Sequence, residues 1–194
     1  MSKSFAKAVV LLAVAILLAA CSPKLDWRTV QSPQESYTAL FPGKPDKIER
    51  RIPYQDQELL QTLEAVKIDD DIYSIGSIYL SKQQTELLAT LLAQLKENLF
   101  RNAGVDQLTA VNSDGMYQTA NHQRMPTKDY FLEFKSTNTT QQAMRVRWII
   151  KPPENGGIWL YQVAILHTGL MQPDVRTFFS TEEYANFFDE FHPN

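Results

Sequence analysis

An unbroken apolar run, Ala8 to Ala20, constrains this chain before any other feature does. Lys3 and Lys7 precede the run and small residues close it. That is the layout of a secretory signal peptide: a charged start, an apolar stretch, small side chains at the cut. As a helix its thirteen residues reach about 20 Å at ~1.5 Å per residue, well short of the roughly 30 Å of a hydrocarbon core. A permanent spanning helix is therefore disfavoured. What remains, 194 − 20 = 174 residues, suits one exported domain. It holds a single cysteine, Cys21, so no disulfide staples it and a hydrophobic core must stabilise it.

The composition allows such a core, with 44% hydrophobic and 11% aromatic residues. The leader carries Lys3 and Lys7 and no acid, so the remainder has 19 − 2 = 17 basic against 22 acidic residues, a formal charge of −5. That balance excludes a nucleic-acid surface, which would be markedly basic, and electrostatic adhesion to anionic lipid.

Along the chain, Ser22–Ser36 reads as a polar tether containing Pro23 and Pro33. Trp27 is an apolar exception expected to pack on the domain. Tyr37–Phe41 is a short strand halted by Pro42-Gly43-Lys44-Pro45. Further strands are expected over Glu58–Ile68 and Ile72–Leu80, joined by a turn at Asp69-Asp70-Asp71. This acidic triplet lacks the spaced oxygen ligands and closing Glu of a calcium loop. Ser81 and Gln84 form a capping box that opens a helix. Leu87, Leu88, Leu91, Leu92, Leu95 and Leu99 lie on one stripe of it, and Gly104 closes it.

Residues 105–126 suggest a strand or two around a turn at Asn112–Gly115. Three strands follow, Thr127–Lys135, Ala143–Lys151 and Gly157–Leu166, with turns at Ser136–Gln142 and Pro152–Gly156. Alternation puts Tyr130, Leu132 and Phe134 on one face, and Phe131 and Glu133 on the other. The expected pairs are Tyr130 with Trp148, Phe131 with Arg147, Glu133 with Arg145, and Trp148 with Leu160. A slip of two residues keeps the faces and changes the partners. A second capping box, Ser180 to Glu183, is expected to open a terminal helix striped by Tyr184, Phe187, Phe188 and Phe191.

No catalytic pattern emerges. His122, His167 and His192 are far apart with no nucleophile-elbow motif, no H-E-x-x-H spacing suggests a metal, and no phosphate-cradling glycine loop is visible. No cofactor, metal ligand or catalytic residue is expected. Phe131, Arg147, Trp159 and Tyr161 share a sheet face and form the candidate partner surface if no helix covers them.

Two resemblances add to these readings. Leu18-Ala19-Ala20-Cys21 resembles the lipobox of bacterial lipoproteins. That likeness implies cleavage between Ala20 and Cys21, a diacylglycerol on the Cys21 thiol and, in most Gram-negative bacteria, acylation of the new amine. The alternatives are an ordinary secretory signal beside an incidental cysteine, or an uncleaved anchor. Ser22, where Asp would favour inner-membrane retention, implies the outer membrane, facing the periplasm.

Tyr37–Pro45, Pro126–Phe134, Met144–Ile150 with Trp159–Ile165, and Phe187–Phe191 together resemble the PsbP-like fold family. Its members include extrinsic photosystem proteins, a Ran-binding nuclear import factor and bacterial secreted domains. The likeness implies an α+β domain, a central antiparallel sheet with helices packed on both faces as an αβα sandwich, with no family catalytic residues to carry over.

The expected organisation is a leader over 1–20, a lipidated cysteine and tether over 21–36, and one domain over 37–194. The expected role is a membrane-anchored, non-catalytic binding or accessory module. Its partners would be the membrane, through acyl chains on Cys21, and another envelope protein, with no nucleic acid. The alternatives are an envelope hydrolase, or a small-ligand carrier with a cavity beneath the leucine-striped helix.

Overall fold

Alternating apolar residues commit the middle of the chain to strands, because a period of two presents one side chain in every pair to each face. The computed structural model describes residues 25–134, 141–154, 156–170 and 174–194, without the side chains of 152–154. Cys21, the expected leader and most of the expected turn after Phe134 lie outside the described residues.

Seven strands form one antiparallel sheet: β3 (Asp46–Tyr54), β4 (Gln57–Ile68), β5 (Asp71–Leu80), β6 (Val111–Gln118), β7 (Arg124–Phe134), β8 (Gln142–Glu154) and β9 (Gly157–His167). Their spatial order is β3-β4-β5-β9-β8-β7-β6. A second, three-stranded antiparallel sheet joins β1 (Arg28–Ser32), β2 (Tyr37–Phe41) and β10 (His192–Pro193) in the order β1-β2-β10. The architecture is mixed α+β and mostly strand.

Residues Lys82–Leu87 form a 3₁₀ turn that leads into α1 (Leu88–Ala103). The expected start is present: Ser81 donates its backbone N–H to Gln84 Oε1 at 3.1 Å. Gly104 ends α1 at φ 67°, a left-handed value that glycine adopts without a steric penalty. Near the C-terminus lie α2 (Val175–Phe178) and α3 (Glu182–Asp189). Asp174 caps α2, accepting from the N–H groups of Arg176 and Thr177 at 3.0 Å each.

Burial divides into two clusters. Odd-numbered sheet residues, including Tyr73, Ile75, Phe131, Tyr161 and Val163, pack with Tyr37 and Phe41 of β2 and with Phe179, Tyr184, Phe187, Phe188 and Phe191. Even-numbered residues, including Ile78, Leu80, Leu132, Val146, Trp148 and Leu160, pack with Leu87, Leu91 and Phe100. The leucine stripe thus meets the sheet, with Leu88, Leu92, Leu95 and Leu99 half-buried at its margin.

Several expectations are corrected. The tether does not extend to Ser36, because Arg28–Ser32 pairs with β2; Trp27 packs edge-on to Tyr73, as expected, and with Val30 draws this segment onto the core. Strand β3 occupies a stretch without a strand in the sequence reading. It is an edge strand whose residues are almost all exposed, so charge and Pro53 replace alternation there.

Asn112–Gly115 is not a turn but the body of the other edge strand, β6, and the chain reverses at 119–123 instead. At the second hairpin β8 extends to Glu154, with an irregularity between Lys151 and Glu154, where a turn was expected from Pro152. Ser180 does not open a capping box. Thr181 is the N-cap of α3 without a side-chain cap bond, and the Ser180 hydroxyl donates to the Arg176 carbonyl.

Both hairpins sit two residues from the expected register. Tyr130 faces Val146, Phe131 faces Arg145, and Leu160 faces Ile150. The faces are as expected. The partners are not.

Candidate functional site

The two-residue shift decides where charge goes. With β7 and β8 in this register, Asp129 lies opposite Arg147, on the face covered by the C-terminal residues, while Glu133 lies opposite Ala143. Asp129 then accepts from both arginines: from Arg145 Nε at 3.2 Å and Nη2 at 2.6 Å, and from Arg147 Nε at 2.6 Å and Nη2 at 3.0 Å. All three are buried, Arg147 to 2% exposure.

Burial by itself would push the Asp129 carboxyl up. The adjoining Arg147 and Arg145 outweigh that and hold it below the usual carboxylate range. The remaining donors turn to the backbone. Arg145 Nη1 donates to the Phe179 carbonyl at 3.0 Å, and Arg147 Nη1 to the carbonyls of Phe188 at 2.9 Å and Met116 at 3.2 Å. Gly115 makes room for this reach, since a Cβ there would stand 3.2 Å from Arg147 Nη2. Phe188 lies beneath both guanidinium groups, 4.1 Å from Arg145 and 5.3 Å from Arg147 to the ring centroid. The cluster is a lock that ties the C-terminal ends of α2 and α3 to the sheet and braces its edge strand β6.

The candidate partner surface is corrected accordingly. Phe131, Arg147 and Tyr161 are buried at 4%, 2% and 0% exposure, because the aromatic stripe of the C-terminal segment covers their face. The Tyr161 hydroxyl donates to the carbonyls of Glu35 at 2.8 Å and Ser36 at 3.0 Å, pinning the β1–β2 turn. Trp159 alone is half-buried, stacked on Tyr161 and tilted against Tyr79, which is 42% exposed.

A second polar cluster sits at the far end of β5 and β9. His167 Nδ1 is 2.7 Å from Asp71 Oδ1, and the Tyr184 hydroxyl donates to Asp71 Oδ2 at 3.0 Å. The other ring nitrogen of His167 is buried without a partner among the described residues, beside Gly169, where a Cβ would fall 2.8 Å from it. This geometry orients a histidine but leaves no room for a substrate at its second nitrogen. Among the described residues no three His, Cys, Asp or Glu side chains are grouped to hold a metal ion, and no helix is long and apolar enough to cross a membrane.

Open space lies on either side of α1. Toward β3 a concavity of about 330 Å³ has Leu63, Gly76, Gln162 and Leu95 among its lining. Gly76 is among that lining, and its missing side chain leaves the strand surface low there. Toward β6 a wider cleft of about 490 Å³ is lined by Leu92, Lys96, Pro126, Tyr130, Trp148 and Ile150, among others. A cavity by the leucine helix belonged only to the alternative ligand-carrier reading, and none of Lys96, Tyr130 or Trp148 was expected as a site. Their only signal was position: Lys96 lies four residues from Leu92 and from Phe100, on a stripe otherwise apolar.

Comparison with protein-family models, with curated proteins and with solved structures finds no match to this chain.

Proposed function

We propose that this chain is a lipoprotein of the bacterial envelope, held by acyl chains on Cys21 and carrying a non-catalytic binding or accessory domain of PsbP-like αβα architecture. The lipobox-like run Leu18–Cys21 supports the anchor, and two aromatic and leucine-rich clusters on opposite sides of one sheet support the architecture. One observation carries the reading. Strand β1 begins at Arg28, 28 − 21 = 7 residues after the cysteine, so the domain stands at most about 25 Å along the chain from its anchor point. A domain so close to its cysteine is a membrane-surface module, not the distal end of a long stalk.

Burying acyl chains contributes about 0.8 kcal/mol per CH₂, and two or three chains on one residue give a durable hold where one alone is marginal. Ser22 after the cysteine, where Asp would favour inner-membrane retention, supports an outer-membrane address facing the periplasm. The ligand-carrier version of this role gains from the clefts beside α1, whereas the hydrolase alternative gains nothing from the buried His167. Metabolic labelling with a palmitate analogue tests the anchor. Label on the wild type that disappears in Cys21→Ala is expected; an unlabelled wild type, or label unchanged in the variant, overturns it.

A further inference from the structure

The cleft between α1 and the β6 side of the sheet combines three features that its own side chains do not use up. Lys96 rests its ammonium over the Tyr130 and Trp148 rings, at 5.4 and 5.3 Å from their centroids, and among the described residues no carboxylate lies within ion-pair distance of it. The neighbouring cation, Lys128, is already paired with Asp114 at 2.8 Å, so the cleft retains one uncompensated positive charge. The Trp148 indole N–H, on a residue that is 93% covered, has no acceptor among the described residues. The walls are apolar: Leu92, Pro126 and Ile150, the last 37% exposed.

A cation seated on aromatic rings beside apolar walls is complementary to an anion with an apolar body. Desolvation also lowers the Lys96 pKa, so a nearby carboxylate would return the interaction energy that burial takes from the ammonium.

We propose that this cleft binds a small carboxylate with an apolar or aryl body, its anionic end at Lys96 and its body along Trp148, Pro126 and Ile150. The proposal rests on the domain being a binding module and does not require the anchor.

The test uses the mature-length protein with Cys21→Ser, titrated with 4-phenylbutanoate and with the neutral, nearly isosteric 4-phenylbutanamide. Indole N–H resonances are followed by NMR. Trp27 and Trp159 pack with the cluster on the opposite sheet face and serve as internal controls. A saturable shift confined to Trp148, at least ten-fold tighter for the carboxylate, is expected. Lys96→Gln should reduce carboxylate affinity to that of the amide while the remaining amide spectrum keeps its native dispersion. Absence of a saturable shift, equal affinity for acid and amide, or undiminished binding by Lys96→Gln would overturn the cleft assignment. Palmitate labelling at Cys21 is read separately, so either reading can fail while the other stands.

Discussion

Replacing Asp129 with Asn keeps the shape of the buried lock and removes the single anion shared by Arg145 and Arg147. Four N–H···O contacts of 2.6 to 3.2 Å converge on that carboxylate. Asn retains one acceptor oxygen and turns an NH₂ group toward guanidinium donors. Breaking one partner out of a buried ion pair costs about 3–5 kcal/mol, because an uncompensated charge remains in the interior. Asp189, 3.7 Å from Arg147 Nη2 and 63% exposed, does not rescue the loss, since an exposed pair contributes about 1 kcal/mol or less.

The assay is urea unfolding of the Cys21→Ser protein, followed by tryptophan fluorescence. Asp129→Asn is expected to lower the midpoint by the equivalent of about 3–5 kcal/mol with the m-value unchanged. Asp114→Asn, which removes a solvent-facing partner of Lys128, is expected to leave the midpoint where it is. A second readout has a defined sign. The folded Asp129 carboxyl is depressed below its unfolded value of about 3.9, so its stabilising contribution is present above that pH and is withdrawn as acid passes the folded value. Asp129→Asn should flatten the stability profile below about pH 4. A midpoint loss under 1 kcal/mol, or an unchanged acid limb, would refute the lock as the element that holds the C-terminal helices down.

Tyr73 and Tyr184 are held neutral, chiefly by burial and then by the charge of Asp71. Their contribution is complete below an unfolded pKa of about 10 and is lost as pH rises further, so absorbance titration should show them ionising only as the protein unfolds. Phe187→Ala empties a fully buried position between Phe41, Tyr73 and Phe188 and should cost about 3–5 kcal/mol, while Leu108→Ala, at 93% exposure, should stay within about 0.5 kcal/mol of wild type in the same urea assay. Gly104→Ala places a Cβ at φ 67° on the α1 C-cap and should lower stability by about 1–2 kcal/mol, measured by thermal melting.

The elements legible in the sequence are those whose burial is two-sided or strictly periodic. Strands β4, β5, β8 and β9 carry apolar residues on alternate positions because each lies between two neighbours, and the leucine stripe of α1 and the Phe187–Phe188 pair announce the surfaces they cover. The edge strands escaped for the same reason in reverse. Lys47, Glu49, Arg50 and Arg51 of β3 face water, and Asn112-Ser113-Asp114-Gly115 of β6 has the composition of a turn, because an edge with one neighbour needs little apolar surface.

Face assignment and helix stripes were therefore set locally, by side chains whose spacing repeats every two or every 3.6 residues. Register was not, because a slip of two residues leaves every face unchanged and only packing among seven strands can choose between the alternatives. From that choice follows the rest of the chemistry. Arg145 met Asp129 in place of Glu133, the expected partner surface closed beneath the C-terminal aromatics, and Lys96 and Trp148 came together across the helix–sheet seam. Charges distant in sequence find one another only after the backbone has been placed, and the spacing of residues along a strand does not encode that placement.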